Sequence, residues 1–416
     1  MKETRPVHGP VSSVIRGPDS KAPPMRKWTI PILLALAAIA SVARGGAPDV
    51  TALAAKFRDV CAKKTADANA AYFAAMAAYD KADKAGNAAE AQKHFDAAQE
   101  AMTIAGKDGW LFFAGEVRHV ASSRFWGADA ARVNRGGSEK LADPLPAILD
   151  YNEQCDKLGI KLIFLPVPPK AFIYPDKLLD GVPLDAAGVP PRLDVFHQEF
   201  YKLLRDKGVT VLDLTDEFLA ARAKKPDGEG SERMCCMQDT HWSGSACVLA
   251  ARKVASLVKN ADWPAKFSHQ KYEADWQSVE ISGDLWRNLP KAKQPPREKL
   301  PLRLVGVKGA AGLTPVAPDA NSPVILMGDS HTLVFNLGQE LHATGAGLLD
   351  QLVHEFGVCI ELVGTRGSGA RPVRINLYRK QKALPNYLSG KKLLIWCLTA
   401  RELTESPWGD VPITRN

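Results

Sequence analysis

The chain is poor in the features that mark several large classes of protein. Its N-terminal apolar run, Trp28 to Val42, is shorter than the roughly twenty residues a helix needs to cross a bilayer. Lysine and arginine are spread along the 416 residues, with no basic block denser than pairs such as Lys224-Lys225 and Lys391-Lys392. Basic residues are not interleaved with aromatics and no helix-turn-helix pattern occurs, so nucleic acid is not an expected partner. The net charge of +8 is modest for this length and reads as solubility, with weak attraction to an anionic polymer or membrane surface. The seven cysteines are scattered without zinc-finger spacing. There is no internal repeat, and the length fits one large or two medium domains with an ordinary apolar content.

What is present begins with an address. Arg26-Lys27 precede the apolar run, and Ser41-Val42-Ala43 fits a small-x-small cleavage site, the three-part layout of a secretory signal. Met25 stands directly before the basic pair, which points to a true start there and makes residues 1–24 an extension. The alternative is an uncleaved anchor; under either reading the body lies outside the cytoplasm. In an exported chain seven cysteines leave at least one unpaired. Cys155, Cys247 and Cys397 sit in apolar patterns and are expected to be buried thiols. Cys235 or Cys236 is expected to brace the loop before Asp239 by a disulfide, with Cys61 as a candidate partner.

Residues 47–105 are rich in alanine, the best helix former, with Phe73, Met76 and Tyr79 on one stripe. The pattern predicts one long helix, or a hairpin turning at Gly86-Asn87, serving as a stalk or as a packing element. From residue 106 apolar strands alternate with helices, which predicts an α/β domain built on a parallel sheet covered by helices. Expected strands are Lys161–Val167, Val209–Leu214, Pro323–Met327 and Lys392–Leu398; expected helices are Ala147–Leu158, Leu193–Lys207, Ser243–Val258 with Ser243 as N-cap, and about Thr332–Thr344. Residues 261–322 are rich in proline and lysine and read as an irregular insertion.

Two short motifs carry the chemistry: Asp239-Thr240-His241-Trp242 and Gly328-Asp329-Ser330-His331. Ser330 follows an apolar strand and precedes a predicted helix, the place where parallel sheets bind ligands and where developing negative charge is favoured. His241 is the natural base for that serine, and Asp239, two residues earlier in an extended segment, faces the same way and can fix its tautomer. Trp242 is placed to wall the site. His331 is badly placed to take the proton of its own neighbour and is expected to line the pocket, while Asp329 is expected to hold the nucleophile loop. The competing readings are a serine that merely caps a helix, and metal ligation by Asp239, His241 and His331, for which no further ligand cluster is evident. No cofactor motif is present.

Gly-Asp-Ser at a strand end with a distant Asp-x-His resembles the SGNH hydrolase superfamily. The order, with Asp239-Thr240-His241-Trp242 first, is similar to the alginate O-acetyltransferases of the AlgJ/AlgX type. Lys107–Phe113, the stretch Pro166–Pro175, Ser282-Gly283-Asp284-Leu285, and Ile395-Trp396 followed by Arg401-Glu402-Leu403 also match that family's pattern, over residues 106–405. The resemblance implies a two-step acyl transfer: Ser330 is acetylated, then a polysaccharide hydroxyl deprotonated by His241 attacks the acyl-enzyme. It implies a membrane-bound O-acyltransferase as acetyl donor. Lys170, Tyr174 and Arg371 are the candidate substrate contacts, each also open to a structural or solvated role, and Arg401 pairs with a carboxylate or lines the site. The chain departs from the family in His331, where an aromatic residue is more usual, and in its alanine-rich helix. A secreted carbohydrate esterase and a silent polysaccharide-binding assembly protein are the alternatives.

Overall fold

The computed structural model describes residues 49–222, 233–264, 267, 269–310, 312–384 and 386–414. The signal or anchor read from residues 1–46 lies outside the described residues. Among the described residues no helix is long and apolar enough to cross a membrane.

The alanine-rich stretch forms a helical hairpin, α1 (Val50–Lys84) and α2 (Ala88–Ala101). Asp49 caps α1 by accepting from the N–H groups of Thr51 and Ala52, at 3.0 and 3.1 Å. The chain turns at Gly86, in the left-handed region at φ +71°, and Asn87 caps α2. Near its start α1 buries Ala54, Phe57, Cys61 and Thr65, with the Phe57 ring 6.3 Å from that of Phe172. Further along, Phe73 keeps 68% of its surface exposed. The hairpin is thus a packing element at its base and open to solvent towards its tip.

A short antiparallel pair, β1 (Thr103–Ala105) and β2 (Leu111–Phe113), leads into α3 (Ala114–Ala121). The later strands are β3 (Lys161–Val167), β4 (Thr210–Val211), β5 (Glu273–Ile281), β6 (Glu298–Gly309), β7 (Gly312–Thr314), β8 (Val324–Gly328), β9 (Glu361–Gly364) and β10 (Leu393–Thr399). Five of them make a parallel sheet in the order β4-β3-β10-β8-β9. Because side chains alternate along a strand, β10 sends Leu393, Ile395 and Cys397 into one core and Leu394, Trp396 and Leu398 into the other. The first core is covered by helix Gly244–Val258 and helix Leu348–Phe356; the second by helices Pro144–Lys157, Val195–Asp206 and Arg371–Ala383. Both faces are therefore apolar, which is why these strands read as continuous hydrophobic runs. The expected α/β architecture, a parallel sheet covered by helices, is the one formed.

Three local expectations are corrected. The strand expected over Val209–Leu214 is limited to Thr210–Val211, because the Asp213 carboxylate turns the chain by accepting from the N–H and hydroxyl of Thr215, at 3.0 and 2.6 Å. The helix expected from Thr332 to Thr344 does not form: Phe335, Gln339 and His342 take positive φ, as does Gly338, and the segment folds back on itself around two short 3-10 turns. The insertion read as irregular contains an antiparallel sheet, β5-β6-β7. Elsewhere Ser243 caps its helix as expected, accepting from Ala246 N–H at 3.2 Å.

All seven cysteines are free, and Cys155, Cys247 and Cys397 are buried as expected. The disulfide expected of Cys235 or Cys236 with Cys61 is not formed. Cys61 lies inside α1 in the main core, and the loop is held by main-chain hydrogen bonds instead.

Candidate active site

The Ser330 loop starts from a close approach. A Cβ on Gly328 would lie 1.8 Å from the carbonyl oxygen of Cys397 in β10, so only glycine fits the end of β8. Asp329 then ties the loop down: its carboxylate accepts from His331 N–H at 2.8 Å and from Thr399 N–H at 2.7 Å, and its carbonyl accepts from the Thr332 hydroxyl at 2.7 Å. Ser330 follows, half-buried at the carboxyl ends of β8 and β10. Among the described residues its hydroxyl and its N–H are engaged in no hydrogen bond. The stretch Gly367–Arg371 passes close by, with a Cβ on Gly369 falling 3.0 Å from Asp329 N.

The second motif lies on a hairpin loop. Cys236 N–H donates to the His241 carbonyl at 3.1 Å and Ser243 N–H to that of Met234 at 3.1 Å. The expected extended segment is replaced by a bend at residues 237–241, which nevertheless brings Asp239 to His241. One oxygen of Asp239, Oδ1, accepts from His241 N–H at 3.0 Å and lies 2.6 Å from His241 Nδ1. The other, Oδ2, accepts from Asp284 N–H at 2.8 Å and lies 2.9 Å from His342 Nε2. With Nδ1 committed, His241 Nε2 is the free nitrogen; it is buried and has no partner among the described residues.

The Ser282–Leu285 segment packs on this bend. A Cβ on Gly283 would sit 2.1 Å from the carbonyl oxygen of Gln238. Asp284 accepts from Thr240 N–H at 2.8 Å and from the Thr240 hydroxyl at 2.6 Å. The buried carboxylate of Glu298 takes the N–H groups of Met237 and Gln238, at 2.8 and 2.9 Å. The two motifs meet through Trp242, whose Nε1 donates to the His331 carbonyl at 3.1 Å, and through the imidazoles of His241 and His331, centred 4.9 Å apart. Ser330 and His241 are not hydrogen-bonded to each other. Such bonds are often long in an unliganded site and tighten with substrate.

Burial acts against every charge here, and neighbours decide each outcome. Burial raises the Asp239 carboxyl, but His241 and His342 outweigh it and hold the group well below the usual carboxylate range. Burial lowers His241, but the charge and hydrogen bond of Asp239, with Asp284 and Asp329, outweigh it and raise the imidazole. His331 is pushed down to about 4 by burial, assisted by His241 and Arg401 against the pull of Asp329. Asp284 is raised by burial and by the Asp239 charge. The pair Asp239–His241 is thus set up to carry a proton beside a neutral His331.

The other candidate residues fall into place differently. Lys170 is buried behind the bend, its Nζ donating to the carbonyls of Asp239 and Leu111 at 2.6 and 2.8 Å. Tyr174 is buried beside Trp110, ring centres 4.0 Å apart, and its hydroxyl accepts from Met234 N–H at 3.0 Å. Both brace the loop that carries His241 from the protein side, so the contacts the structure gives them are structural ones. Arg371 starts helix Arg371–Ala383 and lies against Gly409, with its Nε buried and without a partner among the described residues. Arg401 stands over the Phe113 ring at 5.3 Å and is near Thr399, with no carboxylate within ion-pair distance among the described residues. Asp329 holds the loop as expected.

Asp284, Glu298 and His342 were not legible as members of the site. Asp284 belongs to the Ser282–Leu285 stretch, but nothing local marks its carboxylate as the partner of Thr240, and the residues around His342 carry a helical pattern. For metal, the group that comes together among the described residues is Asp239, His241 and Asp284, with ligand atoms within 4.8 Å of one another; His331 is not part of it. Those atoms already share hydrogen bonds with one another and with Thr240, which a cation would displace.

Residues 103–356, well over half of the chain, match the family described as SGNH hydrolase-like domain, acetyltransferase AlgX. A "Probable alginate O-acetylase AlgJ" of Pseudomonas fluorescens is 25% identical over 235 residues, covering 55% of this chain and 53% of the relative. A protein of the same name from Pseudomonas syringae pv. tomato is 27% identical over 191 residues, covering 45% and 41%. The chain thus spans about half or less of the length of these curated relatives. Among solved structures, the O-acetyltransferase domain of Pseudomonas putida AlgJ superposes with a TM-score of 0.51 at 19% identity, over 73% of this chain and 92% of that one, a likeness of fold. With its parallel sheet and the match over residues 103–356, the chain belongs to the AlgX family of acetyltransferases with an SGNH hydrolase-like domain.

Proposed function

We propose that this protein is an extracytoplasmic O-acetyltransferase that moves an acetyl group through Ser330 onto hydroxyls of an exported, alginate-like polysaccharide. The observation that carries the reading is the division of labour on His241: Nδ1 is held by Asp239 while buried Nε2 has no partner, on a loop tied to the Ser330 loop by Trp242.

The chemistry runs in two halves. Ser330 Oγ attacks the carbonyl carbon of an acetyl donor as His241 Nε2 takes its proton. The tetrahedral intermediate collapses, its leaving oxygen receives that proton from His241, and the acetyl ester remains on Ser330. A sugar hydroxyl then attacks the ester, giving its proton to His241, which returns it to Ser330 Oγ as the acetylated sugar departs. Asp239 keeps the imidazole in one tautomer and stabilises the cation formed in each half. The Ser330 N–H, engaged with no other group among the described residues, is a donor for the oxyanion. The acetyl donor in this scheme is a membrane-bound O-acyltransferase, and the basic, apolar N-terminal stretch supports a site outside the cytoplasm.

The test offers an activated acetyl ester with and without oligouronates, and follows both free acetate and acetylated sugar. The expected result is acetylated Ser330 in peptide mass spectra and transfer to sugar that vanishes in S330A. Release independent of Ser330 overturns the reading. Acetate appearing only in water, never on sugar, assigns the same site to an esterase.

A further inference from the structure

We propose that His342 is a positioning residue of this site, clamping the second oxygen of Asp239 so that the first is reserved for His241. The inference rests on the acyl-transfer reading given above. Nothing in either motif marks the residue, which comes from a loop 103 positions beyond Asp239.

The geometry is specific. His342 Nε2 lies 2.9 Å from Asp239 Oδ2, and its side chain is only 4% exposed. A carboxylate only accepts, so Nε2 carries the proton and donates. Asp239 thus sits between two imidazoles, one on each oxygen, with the N–H groups of His241 and Asp284 completing its four bonds. A carboxylate held on both oxygens cannot rotate about its Cβ–Cγ bond without breaking several bonds at once. Its Oδ1 lone pair therefore stays on the line to His241 Nδ1, which fixes the ring and leaves Nε2 as the nitrogen without a partner among the described residues.

The backbone supports the same conclusion. Among the described residues five non-glycine residues have positive φ, and three of them, Phe335, Gln339 and His342, lie in the one loop that delivers this imidazole. Non-glycine residues held in that region persist where the surroundings over-determine them, and such strain gathers at functional sites. His342 itself stands at φ +75° and ψ −55°. The loop is closed by main-chain bonds from Phe335 N–H to Leu341 at 2.9 Å and from Gly338 N–H to Ala343 at 2.8 Å, and the Phe335 ring backs the His342 ring with centres 5.9 Å apart. The loop also grows directly out of the nucleophile turn, where Val334 N–H donates to the Ser330 carbonyl at 2.8 Å. One continuous segment thus holds the nucleophile at one end and the acid's clamp at the other, so that neither can shift without the other.

The test compares H342N and H342Q with the wild type in acetylation of Ser330 by an activated acetyl ester. Asparagine tolerates positive φ but is too short to reach Asp239; glutamine places an N–H donor at about the right reach. H342N is expected to fold and to lower kcat about 10- to 100-fold, the scale seen when a partner that orients a working ligand is lost, with KM changed less than about twofold. H342Q is expected to recover most of the rate. Full kcat in H342N, or equal losses in H342N and H342Q, overturns the role of His342. Wild-type acetylation that does not depend on Ser330 defeats the underlying acyl-transfer reading instead, and so separates the two failures.

Discussion

The indole Nε1 of Trp242 donates to the main-chain carbonyl of His331 at 3.1 Å, and this bond joins the loop that carries His241 to the loop that carries Ser330. Trp242 is fully buried, so the bond is shielded from water and sets how far apart the two loops stand. In W242F the ring still fills most of the space but the donor is gone. Stability is expected to fall by about 1 kcal/mol, the usual net worth of one hydrogen bond, while acyl transfer falls about tenfold or more through lost alignment. Thermal melting and single-turnover acetylation measure the two effects separately.

Gly283 lets the Asp284 segment lie on the Asp239 bend, where a methyl group would meet the Gln238 carbonyl at 2.1 Å. G283A is expected to push that segment away, freeing Oδ2 of Asp239 from the Asp284 N–H. The parallel sheet lies outside this buried bend, so the fold is expected to survive with a lower melting temperature, while activity drops sharply. G328A, where the contact is with β10 inside the sheet, is expected to cost more stability than G283A.

The pH profile follows from the raised His241. In the proposed mechanism His241 works as a base only when neutral, and Asp239 favours its charged form. The rate is therefore expected to fall as pH drops through a value above the ordinary histidine range of about 6.5. D239N removes the charge that raises the imidazole, so the acid limb is expected to move to lower pH while the plateau falls by up to about ten-thousandfold. An acid limb that stays in place in D239N would show that another group controls it.

Lys170 separates two roles by kinetics. As a substrate contact its loss would raise KM. The structure instead places its ammonium on the carbonyls of Asp239 and Leu111, so K170M is expected to lower kcat and the melting temperature with KM little changed. Steady-state kinetics over a range of donor ester concentrations decides between them.

The seven cysteines give a chemical check on the interior. Six are buried, and burial pushes the thiols of Cys61 and Cys155 up to about 12. A thiol reagent at neutral pH is expected to label only Cys359 in the folded protein and all seven after unfolding without reductant. Fewer than seven labelled thiols in the unfolded, unreduced chain would reveal a disulfide.

The sequence by itself determined the parts that depend on local physics. Apolar strand runs alternating with helical patterns announced a doubly covered parallel sheet, Ser243 announced a helix start, and Ser330 and Asp239-x-His241 offered a candidate nucleophile, base and acid by residue type and order. The order of the motifs also separated the chain from ordinary esterases with Gly-Asp-Ser. The tertiary structure decided which groups touch. Asp239 receives Asp284 and His342 on the same oxygen, although they lie 45 and 103 positions away, and Lys170 reaches its carbonyl from 69 positions away. No local periodicity encodes such contacts. Lys170 and His342 come from the segments that follow β3 and β8, on either side of β10, Asp239 from the bend before helix Gly244–Val258, and Asp284 from the segment after β5, so only the folded chain brings them together. His342 is the clearest case: a stretch whose composition suits a helix is bent into left-handed turns, because packing and hydrogen bonds in the folded protein outweigh the weak local preference of the chain.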